Sequence, residues 1–273
     1  MPSSGVMQLE GKTAIVTGAA QGLGEAFARR LVAEGCAVVT TDREEHVVDV
    51  ADSIGAAAHV GDVADAAHVR SVVDATLTAH GGIDILVNNA GEVWSSGPLD
   101  EWDRADGEFD QAFGSNVKGH FLFGRAVAQA MIERANSADG AERAGGNIVG
   151  GNIVNVSTDH VKPGPGCDRH HGHGYMDLYN ASKWAINGLT FDWAKSLAKY
   201  GIRVNNLCMG ATDTAMLRGW IGREPDPEVV ATWMRPDQTA QVLVDLLLEG
   251  PDGRTGDSIG LYVGQPCVLP PPE

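Results

Sequence analysis

The stretch Thr13-Ala-Ile-Val-Thr17 is short, β-branched and apolar, the pattern of a strand buried on both faces. It leads directly into Gly18-Ala-Ala-Gln-Gly22-Leu-Gly24, after which Glu25 to Glu34 has helical periodicity and Gly35 as a stop. A strand, a glycine loop and a helix in that order aim a helix N-terminus and free backbone N–H groups at a phosphate. Glycine lets the backbone approach such a ligand with no Cβ in the way.

The alternation continues down the chain. Ala37-Val-Val-Thr-Thr41 reads as a second strand ending in Asp42, about 20 residues past the glycines, where a carboxylate accepts the ribose hydroxyls of NAD. A carboxylate there repels the extra phosphate of NADP, although Arg43 next to it can offset that repulsion. Ala57 to Val60 is a weak third strand followed by Gly61-Asp62-Val63, Ala64 to His80 a helix, and Ile83 to Val87 a fourth strand running into Asn88-Asn89-Ala90-Gly91. Phe109 to Arg134 reads as one long helix with Asn116 near its middle, a polar residue that a helix interior disfavours and that suggests a task such as holding a water. A polar loop over 136–146 and a tandem Gly-Asn-Ile-Val repeat from Gly146 lead to a fifth strand, Ile153 to Val156, ending in the hydroxyls of Ser157 and Thr158. A helix over Tyr179 to Tyr200, a sixth strand over Ile202 to Cys208, a helix over Pro236 to Gly250 and a seventh strand over Ser258 to Gly264 complete the set. Strands alternating with helices predict an α/β fold: a doubly wound, parallel, seven-stranded Rossmann sheet with helices on both faces. It forms a single domain over 11–273 behind a loose arm at 1–10.

Bulk properties narrow the partners. The 273 residues carry 36 acidic against 20 basic side chains, a formal net charge of -16. Such a surface repels phosphate backbones and anionic lipids, so neither nucleic acid nor membrane is an expected partner. No apolar run is long enough to span a bilayer, and the first ten residues lack the basic start and apolar stretch of a secretory signal. Cys36, Cys167, Cys208 and Cys267 are scattered, which suits reduced thiols in a cytoplasm.

Chemistry concentrates at Tyr179-Asn-Ala-Ser-Lys183. Residues four apart share a helical face, which places phenol and ammonium one turn from each other. A nearby cation lowers a phenol's ordinary pKa of about 10 and suits it to exchange a proton with an alcohol or carbonyl. Two variable segments flank this centre: an insert over 159–178 with His170, His171 and His173, read as a solvated loop rather than a metal site, and an apolar lid over about 213–236.

Taken together, Thr17-Gly18-x-x-x-Gly22-x-Gly24, Asp62-Val63, Asn88-Asn89-Ala90-Gly91, Asn116, the hydroxyl after strand five, Tyr179-x-x-x-Lys183 and the turn from Gly210 to Thr214 resemble the short-chain dehydrogenase/reductase family, over nearly the whole chain. The resemblance implies hydride transfer between a nicotinamide and an alcohol or carbonyl carbon. Tyr179 would be the acid/base, Lys183 its activator and ribose ligand, and Asn116 the anchor of a water leading to solvent. Thr158 would hold the substrate oxygen where the family has Ser, with Ser157 as the fallback. Gly18, Gln21, Gly22, Leu23 and Gly24 would cradle the pyrophosphate, Asp42 the adenine ribose, and Asp62 with Val63 the adenine. Asn89, Ala90 and Gly91 would line the crevice, and Gly210, Thr212 and Thr214 would meet the nicotinamide. Met209 departs from the usual Pro.

The expected cofactor is NAD and the expected substrate a bulky apolar or aromatic secondary alcohol or ketone, bordered by Trp94, His160, Met209, Met216 and Trp220. The alternatives are an NADPH-dependent reductase of carrier-bound 3-oxoacyl chains, which Asp42 and the negative charge disfavour, and a nicotinamide-binding regulatory protein without turnover. The resemblance also implies a homotetramer or homodimer joined through the helices of Asn116 and Tyr179.

Overall fold

The computed structural model describes residues 9–137, 150–162, 175–222 and 224–272. Strand β1 (Thr13–Thr17) is followed by α1 (Gly22–Ala33), β2 (Ala37–Asp42), α2 (His46–Ile54), β3 (Ala57–Val60), α3 (Ala66–His80) and β4 (Ile85–Asn88). The second half contains α4 (Ala105–Phe113), α5 (Gly119–Asn136), β5 (Gly151–Thr158), α6 (Asp177–Leu197), β6 (Ile202–Met209), α7 (Ala215–Ile221), α8 (Pro227–Val230), α9 (Pro236–Leu248) and β7 (Ser258–Leu261). The strands form one sheet in the order β3-β2-β1-β4-β5-β6-β7, parallel throughout.

Alternate residues of each strand face opposite layers, and the packing shows it. Ala14 and Val16 of β1 join Phe27 and Leu31 of α1 and Val242, Leu243 and Leu246 of α9 on one side. Ile15 joins Val72 and Val73 of α3 with Phe123, Val127 and Met131 of α5 on the other. Each fully buried Phe, Leu or Ile contributes about 1.5–3 kcal/mol through lost water contact. The doubly wound arrangement expected from the sequence is therefore present, with both faces of the sheet covered.

Several boundaries differ from those expected. Helix α2, which no periodicity pointed to, buries Val47, Val50 and Ala51 and stops at Gly55 with φ of 71°. The single helix expected over Phe109 to Arg134 is two, α4 and α5, joined through a π-helical turn at Gly114–Lys118 that contains Asn116. The extra residue per turn rotates the Asn116 side chain inward, where it is fully buried. Strand β5 is twice as long as the apolar core alone suggested, because Gly151 and Asn152 of the second Gly-Asn-Ile-Val copy extend it at one end and Ser157 and Thr158 at the other. Most of the arm, most of the loop over 136–146 and the three insert histidines lie outside the described residues, whereas Leu9, expected in the loose arm, is buried in the core.

Candidate active site

The chain winds from β1 out to β3, then returns to place β4 on the other side of β1. Loops leave β1 and β4 in opposite directions at that switch point, and a crevice opens beyond the strand ends. Here it is a cavity of about 590 Å³.

Its first wall is the glycine loop. Gly18 and Gly22 hold φ of 65° and 61°, the left-handed region that favours glycine. A Cβ on Gly18 would lie 2.7 Å from Ala90 Cα, and one on Gly24 only 2.0 Å from the Gly18 carbonyl oxygen. Gly24 does not line the cavity; its role is to let α1 come close to the loop, so that the N-terminus of α1 points into the crevice. Asn89 holds the two strand ends together, with its Nδ2 donating to the Thr17 and Gly18 carbonyls at 3.1 and 3.0 Å. Asp42 is fixed through both oxygens, which accept from the Ala20 N–H at 3.0 Å and the Glu44 N–H at 3.1 Å. Gln21, Leu23, Asp62, Val63, Ala90 and Gly91 complete this end. Backbone donors free of Cβ atoms, a helix N-terminus and an oriented carboxylate fit the pyrophosphate and adenine ribose of a nicotinamide dinucleotide.

At the other end α6 brings Tyr179 and Lys183 to the cavity, with Lys183 Nζ 5.7 Å from the Tyr179 ring centre. Lys183 donates to the Val156 carbonyl at 3.1 Å. Thr158 Oγ1 donates to the Asp159 carboxylate at 3.3 Å and accepts the His160 N–H at 3.4 Å, whereas Ser157 donates to the Lys183 carbonyl at 3.5 Å; both residues line the cavity with Tyr179. Burial pushes the Tyr179 phenol up to about 12; the Thr158 hydroxyl pulls it down and the Asp159 carboxylate pushes it further up. Burial also pulls the Lys183 ammonium down to about 8. In the protein alone, then, desolvation outweighs the lowering of the phenol expected from its cationic neighbour.

Asn116 lies behind the cavity wall rather than in it. Its Oδ1 accepts from the Glu92 N–H at 2.7 Å, and its Nδ2 donates to the Glu92 carbonyl and to Ser182 Oγ, each at 3.0 Å. It thereby joins the loop after β4 to the α6 turn of Tyr179 and Lys183.

Across from Tyr179, Thr214 caps α7 by accepting the Leu217 N–H at 3.3 Å, and its methyl faces Gly22. Gly210, Thr212, Met209, Met216 and Trp220 line this side, and His160 lies edge-on to Tyr179 with ring centres 6.1 Å apart. Trp94 is half-buried and is not among the lining residues. Sequence reasoning missed Asp159, Glu92, Met176 and Leu217 in the wall, as well as Gln111 and Ser115 near the helix junction. Asp159 and Glu92 were within reach, since each directly follows a strand-end motif; the junction residues had no signal, because only the π-turn sets their direction. Among the described residues no cluster of three His, Cys, Asp or Glu side chains suits a metal ion.

Residues 12–224 match the family model described as short chain dehydrogenase. Among curated proteins, galactitol 2-dehydrogenase of Agrobacterium fabrum is 32% identical over 240 residues, covering 82% of each chain. The 3-alpha-(or 20-beta)-hydroxysteroid dehydrogenase of Mycobacterium tuberculosis is 32% identical over 252 residues, covering 91% of this chain and 87% of its own. Among solved structures, a short chain dehydrogenase from Burkholderia cenocepacia in complex with NADP superposes with a TM-score of 0.73 at 28% identity, covering 94% of this chain and 98% of that one. A 3-ketoacyl-(acyl-carrier-protein) reductase from Brucella melitensis complexed with NADH has the same score and identity, covering 95% and 100%.

Proposed function

The chain belongs to the short-chain dehydrogenase family, and on that premise we propose that it interconverts a secondary alcohol and its ketone with NAD. The observation that carries this reading is one arrangement: Tyr179, beside Lys183 and with Thr158 in the same wall, in the same cavity as the glycine loop and the oriented carboxylate of Asp42.

The nicotinamide, when bound, accepts or supplies the hydride. In the oxidative direction Tyr179 removes the alcohol proton while the carbon–oxygen bond becomes a carbonyl; in reduction its phenol returns that proton. Thr158 holds the substrate oxygen, a role supported by its place in the cavity wall with Tyr179, while the hydroxyl of Ser157 is engaged by the Lys183 carbonyl of α6. Lys183, while protonated, favours the phenolate that forms. Asn116 keeps the β4 loop and α6 in register, so that these groups converge.

The preference for NAD rests on Asp42, whose carboxylate is fixed where a 2′-phosphate would suffer repulsion. Met209, Met216, Leu217 and Trp220 form an apolar wall suited to a bulky apolar or aromatic alcohol. We further propose that two copies associate through the helices bearing exposed Phe109, Trp184 and Phe191, and that the protein acts in the cytoplasm, where the described thiols Cys36, Cys208 and Cys267 stay reduced. Among the described residues no helix is long and apolar enough to cross a membrane.

The test is turnover with NAD and a panel of secondary alcohols, followed as NADH absorbance. Tyr179→Phe is expected to lose about 10²–10⁴-fold in kcat while still binding cofactor. Full activity in that variant would sink the mechanism.

A further inference from the structure

Glu92 follows the Asn-Asn-Ala-Gly end of β4 and lines the cavity, where a carboxylate is unfavourable to a ligand bearing phosphates. Its main chain is fixed on both sides by one side chain, since Asn116 accepts its N–H and donates to its carbonyl. From that anchor its carboxylate reaches across the crevice and accepts Nη1–H of Arg43, which stands just past the end of β2. Glu44 approaches the Nε side of the same guanidinium at 3.5 Å. The Arg43 side chain is 57% exposed and that of Glu92 21%, so the acid is the anchored member and the base the movable one.

Arg43 and Lys183 are the only Arg or Lys among the described residues lining the cavity, and Lys183 belongs to the chemical end. A dinucleotide with a 2′-phosphate would bring that phosphate to Asp42 and would need a cation to offset the repulsion. A planar guanidinium is well shaped for the task, and Arg43 is the one adjacent. Glu92 and Glu44 already occupy it.

We propose that Glu92 is a cofactor-specificity residue: by engaging Arg43 across the crevice, it withholds the guanidinium that could receive a 2′-phosphate and strengthens selection of NAD over NADP. The inference rests on the NAD reading above and adds a second residue, in the loop after a different strand, to the discrimination made by Asp42.

Dissociation constants of the full-length protein for NADH and NADPH, read from cofactor fluorescence, test it. The wild type is expected to bind NADH more tightly. Glu92→Gln should narrow the NADPH-to-NADH ratio on the order of tenfold, the worth of one charge-assisted hydrogen bond from the released guanidinium to the phosphate. Adding Arg43→Leu to that variant should restore the wild-type ratio, while Arg43→Leu alone should leave the ratio close to wild type. A wild type that prefers NADPH would overturn the NAD reading and this inference together. A wild type that prefers NADH, with a ratio unmoved by Glu92→Gln, would overturn the inference alone. Should Glu92→Gln not melt as a folded protein, Arg43→Leu still decides: a selective loss of NADPH affinity in the wild-type background means that Arg43 is already available, and Glu92 has no such role.

Discussion

At the scale of single residues, burial sets the acid–base character of this site. With the phenol pushed up to about 12, Tyr179 is protonated at neutral pH, ready to donate in reduction and unready to accept in oxidation. We therefore expect kcat/KM for alcohol oxidation to rise by up to about tenfold per pH unit through the neutral and mildly alkaline range, and that for ketone reduction to stay nearly flat there. Asp159 contributes to the upward push, so Asp159→Asn should move the oxidative limb to lower pH, measured as kcat/KM against pH. His120 provides a second test away from turnover. It is fully buried beside Lys183, its Nε2 has no partner among the described residues, and burial holds it down to about 3 against an ordinary value of about 6.5. The unfolded chain takes up a proton at His120 as pH falls below about 6.5, and the folded chain does so only near 3, so folding stability declines across that window. Urea midpoints taken from pH 7 to 4 should fall, and His120→Leu should flatten the slope whatever it does to stability at pH 7. Neither effect was legible in the sequence, which gives the residue types at Tyr179 and His120 and nothing about how much water reaches them.

At the scale of elements, the close approach of α1 to the glycine loop is a specific packing requirement. The Cβ added by Gly24→Ala would meet the Gly18 carbonyl at 2.0 Å and Asn89 Nδ2 at 2.6 Å, and backbone cannot yield as a flexible side chain does. That variant should lose about 1–3 kcal/mol of stability by overpacking, seen as a lower denaturant midpoint, together with weaker NADH binding, because α1 must move off the crevice. The strand–loop–helix order was readable because each part has its own periodicity and glycine has its own conformational range. The break between α4 and α5 was not: one extra residue in a turn leaves the apolar spacing of Phe109 to Arg134 almost unchanged, and the cause of the turn is tertiary. Asn116 is drawn inward to bond the Glu92 main chain and Ser182, partners 24 and 66 residues away in sequence.

At the scale of the whole molecule, a formal net charge of -16 accompanies exposed Trp184 and Phe191 on α6 and Phe109 on α4. If two copies cover those aromatics, Phe191→Asp should shift the sedimentation of the protein toward the monomer by placing a charge in an apolar contact; unchanged sedimentation would put the contact elsewhere. The sequence by itself determined the order of strands and helices, the parallel sheet, the glycine loop with Asp42 behind it and the pairing of Tyr179 with Lys183, because local propensity, periodicity and helical spacing act over short stretches of chain. Tertiary structure alone decided that Thr158 bonds Asp159 and the His160 main chain while Ser157 bonds the Lys183 carbonyl, that Asp159 and Glu92 line the cavity and Trp94 is not among its lining residues, and that Arg43 meets Glu92 across the crevice. Those outcomes depend on the direction of side chains from distant strands once both faces of the sheet are packed. The glycine loop at Gly18 is where the two levels meet: its φ is written in the residue type, and the reason it must be glycine is Ala90, 72 positions further along the chain (90 − 18) and pressed against it.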